Sequence, residues 1–230
     1  MDSSRLSELE KKTGVEFKNK DLLLQALTHR SYLNEDPKWP LDHNERLEFL
    51  GDAVLELVVT DYLYNNYPNP EGEMTNWRAA IVNSVMLAKV SSKFDLNEYV
   101  LLSRGEAKDV GRARQYILAN AIEALIGAIY LDQGYDVTDE FIKKFVITEL
   151  PVIIEDKLYR DPKSRFQEEA QERVGITPTY EVLKEWGPDH ARNFDIGVFL
   201  GEEMVGRGEG LSKQEAQQAA AESALTKKGW

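Results

Sequence analysis

Apolar residues recur at helical spacing along the first two-thirds of the chain, which predicts helix after helix over residues 1–158. The recurring sets are Leu6 and Leu9; Leu22, Leu23 and Leu27; Leu47, Leu50, Val54 and Leu57; Ile81, Val85 and Ala88; and the apolar run from Ile117 to Leu131.

Local signals set the expected limits of these helices. Asn19 and Thr75 occupy positions where helix N-caps are expected. Pro68, Pro70 and Gly72 predict a loop. One further amphipathic helix is expected over residues 137–158, kinked at Pro151.

The pattern changes after residue 161. A helix is predicted from Ser164 to Val174, ended by Gly175. Alternating apolar and polar positions from Thr179 to Arg207 predict strands, and an alanine-rich helix follows from Lys213 to Lys227. The expected architecture is an N-terminal all-α domain (1–158), a linker (159–161) and a C-terminal α+β domain of order α-β-β-β-α (162–230).

Composition narrows the chemistry. The chain has 230 residues, a formal net charge of −12 and no cysteine, which excludes disulfides, thiolate zinc sites and a cysteine nucleophile. The polar N-terminus is unlike a secretory signal, and the run from Ile117 to Leu131 is too short and too polar to span a bilayer. We therefore expect a cytoplasmic protein. The negative charge is spread over both expected domains, and at first sight it argues against a nucleic-acid partner.

The candidate metal-binding residues lie on two of the predicted helices. Glu45, Glu48 and Asp52 share one helix face, where their mutual repulsion would be relieved by a divalent cation such as Mg²⁺. Glu123 is the only charged residue in its apolar helix, with Asn120 one turn before it. Two other interpretations stay open from spacing alone: the acidic stripe is a solvated face, or Glu123 pairs with an arginine such as Arg46 or Arg78.

The segment Asn44–Leu55 closely resembles the signature of the ribonuclease III family of metal-dependent endonucleases that cut double-stranded RNA. Further resemblance lies in Ala26–Tyr32, in Glu71–Thr75 with Arg78-Ala79, in Gly105-Glu106 and in Ile117–Asp132. Residues 162–227 resemble a double-stranded-RNA-binding domain, notably at Pro162–Ser164, Phe166–Glu168, Gly187–His190 and Ser212–Gln217.

This resemblance implies an all-α endonuclease domain followed by an RNA-binding domain, in a homodimer. It implies Mg²⁺, with Mn²⁺ as a substitute, and hydrolysis of double-stranded RNA to 5′-phosphate and 3′-hydroxyl ends with short 3′ overhangs, in the processing of ribosomal, messenger and other structured precursor RNAs. It implies no membrane and no small-molecule substrate. The residues that it implies are Asp52 and Glu123 as catalytic; Glu48, Asp52, Asn120 and Glu123 at the metal; Glu45 and Glu71 as accessory acids; Phe49 at the dimer interface; and Gln167, Glu168, Pro188, His190, Ser212 and Lys213 at the RNA.

The chain departs from the family pattern at Asn120, where the family normally has aspartate. A neutral side chain leaves three core carboxylates instead of four, so we expect weaker Mg²⁺ binding. The alternative function is thus a catalytically weakened or inactive double-stranded-RNA-binding protein, and a purely structural helical dimer is disfavoured by the three retained acids. Gln214 and Gln217 stand where the family often has lysine, which predicts weaker RNA binding and a shallower salt dependence.

Overall fold

The structure is a computed structural model that describes residues 3–188 and 192–230. The chain divides into two units of different architecture, Met1–Tyr159 and Arg160–Trp230. The first unit is helical, and the second combines two helices with a sheet. This is the fold class that the hydrophobic pattern predicts.

The first unit contains nine α-helices within its described residues, joined by short turns that include 3₁₀ segments at Ser92–Phe94, Leu96–Glu98, Glu106–Lys108 and Ile147–Glu149. The α-helices are α1 (Ser3–Thr13), α2 (Lys20–Ala26), α3 (Tyr32–Glu35), α4 (Glu45–Asn66), α5 (Glu71–Ile81), α6 (Ser84–Ser91), α7 (Arg112–Gln133), α8 (Tyr135–Phe145) and α9 (Leu150–Glu155).

Helices α4 and α7, each of 22 residues, form the centre of the first unit. Their facing side chains include Leu55, Val58, Ile122 and Leu125, all fully buried. Helix α7 ends at Gly134, whose φ of 83° lies in the left-handed region that glycine adopts without steric cost. Helices α2, α6 and α8 pack around α7, so α7 is buried on most sides and reads as almost continuously apolar.

Three local predictions are wrong. Gly72 was expected in a loop with Pro68 and Pro70, but it lies in the first turn of α5. The expected kinked helix over 137–158 is interrupted: α8 ends at Phe145, and α9 starts at Leu150 with Pro151 in its first turn. Proline is tolerated there because that position donates no hydrogen bond within the helix. Thr75 is not an N-cap, since α5 already begins at Glu71, and its hydroxyl donates to the Glu71 carboxylate at 3.0 Å. Asn19 does cap α2, as predicted.

The second unit is a three-stranded antiparallel sheet with two helices. Its elements are α10 (Pro162–Val174), β1 (Thr179–Trp186), β2 (Asn193–Leu200), β3 (Glu203–Gly210) and α11 (Lys213–Lys228), with strand order β1-β2-β3. Ile196, Val198 and Val205 of the sheet are buried together with Phe166 of α10. Gly175 ends α10 in the left-handed conformation, as the sequence predicts.

A glycine stripe on β3 sets how closely α11 approaches the sheet. A Cβ atom built on Gly206 or Gly208 would lie 2.4 Å or 2.2 Å from backbone atoms of Ala220. Ala216, Ala220 and Ala224 are fully buried against this stripe, so the predicted packing role of the inner face of the alanine-rich helix is confirmed.

Among the described residues, none of the helices has both the length and the apolar character needed to cross a bilayer.

Candidate active site

The crossing of α4 and α7 brings two backbones into direct contact. A Cβ on Gly51 would lie 1.7 Å from the carbonyl oxygen of Glu123, and one on Gly127 would lie 2.2 Å from that of Leu47. Any residue other than glycine at position 51 or 127 would therefore push the two helices apart. Because Glu48 and Asp52 lie within one turn of Gly51, and Glu123 lies one turn before Gly127, this crossing brings the backbones that carry these carboxylates close together.

The carboxyl group of Glu123 lies in an unusual electrostatic environment. Its side chain is largely withdrawn from solvent, and burial is the main cause that raises its pKa to about 8. The negative charges of Asp52 and Glu48 act in the same direction. Without a cation, this carboxyl group therefore stays mostly protonated at neutral pH.

Glu48 is half-buried and has a raised pKa, chiefly because of burial and then because of the neighbouring charges of Glu45 and Asp52. A hydrogen bond with the Asn120 side chain acts in the opposite direction. The structure thus brings Glu45, Glu48, Asp52, Asn120 and Glu123 into one interacting group.

Glu71 stands apart from this group. It is exposed at the start of α5, and it is absent from the charges that act on Glu48 and Glu123. It lines a separate pocket of about 240 Å³ with Thr60, Tyr64, Arg78 and others.

The arginine interpretation of Glu123 is not supported. Arg78 donates to the hydroxyl of Thr60 at 2.9 Å and lies 3.9 Å from the carboxylate of Glu56. Within residues 3–188 and 192–230, Glu123 has no ion pair with a basic side chain. A divalent cation is then the partner that would offset the negative charge of these carboxylates.

The donor set fits such a cation, because Glu48, Asp52 and Glu123 offer the hard oxygen ligands that Mg²⁺ prefers. In the part of the chain that the structure describes, no three His, Cys, Asp or Glu side chains are already gathered at metal-binding distances. Carboxylates that repel one another are expected to spread apart until a cation draws them together.

Hydrogen bonds to an earlier segment of the chain fix the start of α4. The buried Asn44 donates from its side chain to the carbonyl of Ala26 at 3.2 Å, and its backbone N–H donates to the carbonyl of Thr28 at 2.9 Å. His29 Nδ1 lies 2.8 Å from the Ser31 hydroxyl, and that hydroxyl accepts a hydrogen bond from the backbone of Ser103. Burial lowers the pKa of His29, so it acts here as a neutral hydrogen-bonding residue.

Glu45 lies at the solvent end of the acidic group. Arg30 lies 3.5 Å from its carboxylate, and His43 Nδ1 lies 3.8 Å from it. This acid is therefore partly compensated by basic side chains of the preceding segment, unlike Glu123.

Two features of this site were missing from the sequence reasoning. Gly51 of α4, which meets the backbone of Glu123, has no signal of its own in the sequence. The effect of the Asn120 side chain on the pKa of Glu48 also had no signal in the sequence beyond the i, i+3 spacing of Asn120 and Glu123.

The predicted RNA-binding residues of the second unit lie on its surface. Gln167 and Glu168 are exposed on α10, and Glu168 pairs with Arg160 at 2.7 Å. Ser212 caps α11 by accepting from the backbone N–H of Glu215 at 3.1 Å. The ammonium of Lys213 lies 3.5 Å from Glu185, and Pro188 is exposed. His190 lies outside the described residues.

Comparisons with known protein families match both units. A family model described as "Ribonuclease-III-like" matches residues 19–150, and one described as "Double-stranded RNA binding motif" matches residues 162–228. A protein of Natranaerobius thermophilus named "Ribonuclease 3" is 47% identical over 221 residues, which cover 96% of this chain and 95% of the relative. The "Ribonuclease 3" of Nitratiruptor sp. is 45% identical over 222 residues and covers 96% of each chain.

A solved structure supports the fold of the first unit. The nuclease domain of ribonuclease III from Campylobacter jejuni matches with a TM-score of 0.57 and 38% identity, and covers 64% of this chain and 99% of that domain. That structure was described for structural flexibility in a region involved in dimer formation.

Proposed function

The chain belongs to the ribonuclease III family and is an endoribonuclease of double-stranded RNA, and from this premise we propose how its own residues perform the reaction. Glu48 and Asp52 of α4 and Glu123 of α7 hold the divalent cation, with Asp52 and Glu123 nearest to the reacting phosphodiester. The observation that carries the proposal is the half-buried Glu123, whose neighbours across the helix crossing are two more carboxylates.

Divalent cations are general in this family, and Mg²⁺ is the proposed one, with Mn²⁺ able to replace it. When bound, such a cation supplies Lewis-acid stabilisation of the phosphate and makes an attacking water more acidic. The chain's residues contribute position: the contact of α4 and α7 fixes the separation of the carboxylate-bearing backbones. Hydrolysis would leave 5′-phosphate and 3′-hydroxyl ends, and no nucleophilic side chain is required.

A homodimer would place two such sites on one RNA, one for each strand, and so leave short 3′ overhangs. Phe49 supports this assembly, since it lies on α4 beside Glu48 with 81% of its side chain exposed. A large aromatic side chain in that position is costly in water and typical of an interface. We propose that Phe49 packs against the second subunit.

The second unit would read the shape of the RNA through 2′-hydroxyls and phosphates. We propose Gln167 and Glu168 of α10, Pro188 after β1, and Ser212 and Lys213 at the start of α11 as its contacts, with His190 as a further candidate outside the described residues. The N-terminal N–H groups of α11 add a favourable site for a phosphate. Structured precursor RNAs, ribosomal RNA first, are the proposed substrates.

Cleavage of a long double-stranded RNA by the full chain tests this function. We expect cleavage in Mg²⁺ and none in EDTA, with no cleavage of double-stranded DNA of the same sequence. Glu123→Gln should reduce cleavage by more than about 100-fold, because even outer partners of metal ligands cost about 10–100-fold when lost. Glu140→Gln, the same change at an exposed site on α8, is the matched control.

The relatives favour cleavage over the alternative of a non-cleaving binder, since both near-full-length relatives carry the name of a ribonuclease. If the chain and its Asn120→Asp variant both fail to cut in Mg²⁺, the assigned reaction is wrong. If Glu123→Gln cuts as fast as the unaltered chain, the proposed cation site is wrong.

A further inference from the structure

Lys163 lies between the two helices of the second unit that carry proposed RNA contacts. It precedes Gln167 by four residues on α10, and its ammonium group donates to the side-chain oxygen of Gln217 at 2.7 Å. Gln217 follows Lys213 by four residues on α11. Residues four apart lie on the same face of a helix. Lys163 therefore shares a face with Gln167, and its ammonium group reaches the face of α11 that carries Lys213.

The start of α10, where Lys163 lies, is fixed by contacts with both helices. Asp161 caps α10 by accepting a hydrogen bond from the backbone N–H of Ser164 at 3.1 Å. The other oxygen of the same carboxylate accepts a hydrogen bond from the side chain of Gln218 on α11 at 3.0 Å. Asp161 is thus engaged by these two donors, and Lys163 follows it at a defined position.

The partners of the Lys163 ammonium group are neutral. Gln217 supplies an amide oxygen, and the centroid of the Tyr180 ring lies 5.1 Å from Nζ. Within residues 3–188 and 192–230, no carboxylate forms an ion pair with this lysine. Lys213 differs in this respect, because its ammonium group lies 3.5 Å from the carboxylate of Glu185. The positive charge of Lys163 is therefore not offset by a paired acid.

The ammonium group of Lys163 also retains the capacity to donate. Such a group carries three N–H donors. Gln217 accepts from one of them, and the face of the Tyr180 ring attracts the charge without using a lone pair. The side chain is only partly buried. An anion on the surface formed by α10 and α11 would find here both a charge and a free donor.

We propose that Lys163 contacts a phosphate of double-stranded RNA, as a cation that α10 supplies at its junction with α11. The inference rests on the proposed function, which assigns the faces of Gln167 and Lys213 to RNA. Phosphates provide most of the affinity in such complexes, and each one neutralised by a basic side chain adds to the salt dependence. Lys163 would then add to the affinity for any duplex RNA, whatever its sequence.

Binding of the full chain to an RNA duplex of about 30 base pairs, longer than the roughly 16 that one such domain spans, tests the contact. EDTA is present so that the duplex is not cut, and the affinity is measured at several salt concentrations. Lys163→Gln removes the charge and keeps a polar side chain. It should weaken binding several-fold and reduce the slope of log affinity against log salt by about 1.

Lys227→Gln is the matched control. It removes the same charge from the same unit, at an exposed position in the last turn of α11, about 20 Å along that helix from Lys213. The salt slope of this variant should equal that of the unaltered chain. Thermal melting of both variants should stay within about 2 °C of the unaltered chain, the usual limit for surface changes.

A double variant separates a phosphate contact from a lysine that only bridges the two helices. Lys163→Gln combined with Gln217→Lys moves the ammonium group to the other side of the same hydrogen bond. It should restore the salt slope, and return the affinity to within about twofold of the unaltered chain. A bridging lysine would change the melting temperature and leave the slope as it is.

Two results would overturn the inference. The first is an unchanged salt slope in Lys163→Gln. The second is a double variant whose slope stays as low as that of Lys163→Gln, and this comparison decides even where the single variant is less stable. Failure of the proposed RNA binding looks different: the unaltered chain would then bind DNA of the same sequence as tightly as the RNA duplex.

Discussion

Asp195 of the second unit and Glu123 of the first are carboxylates withdrawn from solvent in opposite electrostatic surroundings. In the second unit, Asp195 is fully buried in β2, and Arg207 of β3 donates two hydrogen bonds to it at 2.8 and 2.5 Å. In the first unit, Glu123 faces two further carboxylates. The pKa of Asp195 is lowered by its arginine, whereas that of Glu123 is raised to about 8. A structural carboxylate is compensated within the fold, and a functional one is left for a ligand to compensate.

The units nevertheless share a packing device. In both, glycine allows two elements to touch through their backbones: Gly51 and Gly127 at the α4–α7 crossing, and Gly206 and Gly208 between β3 and α11. In the second unit the contact seals an apolar core. In the first unit the glycine contact lies beside the carboxylates, so it sets the spacing of the charged residues.

The largest effect is expected from adding a methyl group at the crossing. Gly51→Ala would place a carbon 1.7 Å from the backbone carbonyl oxygen of Glu123, so the helices must separate. We expect a loss of about 3 kcal/mol or more in the free energy of unfolding, the upper range for overpacking. Urea denaturation of the first unit's transition measures it.

The control for that change is Gly72→Ala. It lies in the first turn of α5, where an added Cβ meets nothing within 4 Å. Alanine there should stabilise by about 0.5–1 kcal/mol, because it reduces the freedom of the unfolded chain. Equal stability of Gly51→Ala and the unaltered chain would show that the backbones are not in contact.

The pH dependence of stability in EDTA should differ in sign between Glu123 and Asp195. When unfolded, Glu123 loses its proton near its ordinary value of 4.5, whereas the folded chain keeps it until about pH 8. The folded state binds more protons in this window, so the free energy of unfolding falls as pH rises from 4.5 to 8. After allowance for solvent access, the fall is on the order of 2 kcal/mol.

Glu123→Gln should remove that fall, so the difference between the two chains isolates it. Asp195 behaves in the other direction: its contribution is complete above its ordinary value of 3.8 and is lost as pH falls below it. A stability difference between the unaltered chain and Glu123→Gln that stays constant from pH 4.5 to 8 would contradict the raised pKa of Glu123.

The units are also expected to differ in what their surfaces bind, and Phe49 tests the protein–protein side. Phe49→Ala should weaken self-association by about 2 kcal/mol, roughly 30-fold in the dimer dissociation constant, the scale of an aromatic interface anchor. Sedimentation over a concentration series measures it. Val110→Ala, at a side chain that is also 81% exposed, is the control. A dimer unaffected by Phe49→Ala would remove this residue from the interface.

The smallest effect concerns the RNA side. Lys213→Ala should weaken double-stranded-RNA binding several-fold and reduce the slope of log affinity against log salt by about 1, as expected for one lost phosphate contact. Lys143→Ala is the control, since Lys143 likewise has a carboxylate partner, Asp139 at 2.7 Å. An unchanged salt slope for Lys213→Ala would mean that this ammonium stays with Glu185 instead of turning to a phosphate.

Helices and strands with a regular spacing of hydrophobic residues were the most predictable from the sequence. The apolar run of α7 reports burial directly, and Asn19, Gly175 and the alanine face of α11 have local meaning. The alternation in β2 predicted a strand but not its burial, because Asp195 and Gly197 are buried together with Ile196 and Val198. The break between α8 and α9 was missed, because Pro151 suits either a kink or a first helical turn. Thr75 was misplaced because a threonine inside a helix and one at its start look alike in sequence.

The sequence indicates which residues could form the candidate site, but it does not indicate how they are arranged in space. The i, i+3 and i+7 spacing of Glu45, Glu48 and Asp52 follows from helical geometry alone, and the isolation of Glu123 follows from its apolar neighbours. That Gly51 meets the backbone of Glu123, and that Asn120 lowers the pKa of Glu48, depend on how two distant segments cross. Such contacts have no signature in either segment taken separately.

The α4–α7 crossing has a consequence for how this family can vary. Since the main chains touch at Gly51 and Gly127, no layer of side chains between them must repack when a neighbouring residue changes. The distance between the two carboxylate-bearing backbones is therefore set by glycine alone, and side chains around the crossing can be exchanged without altering it.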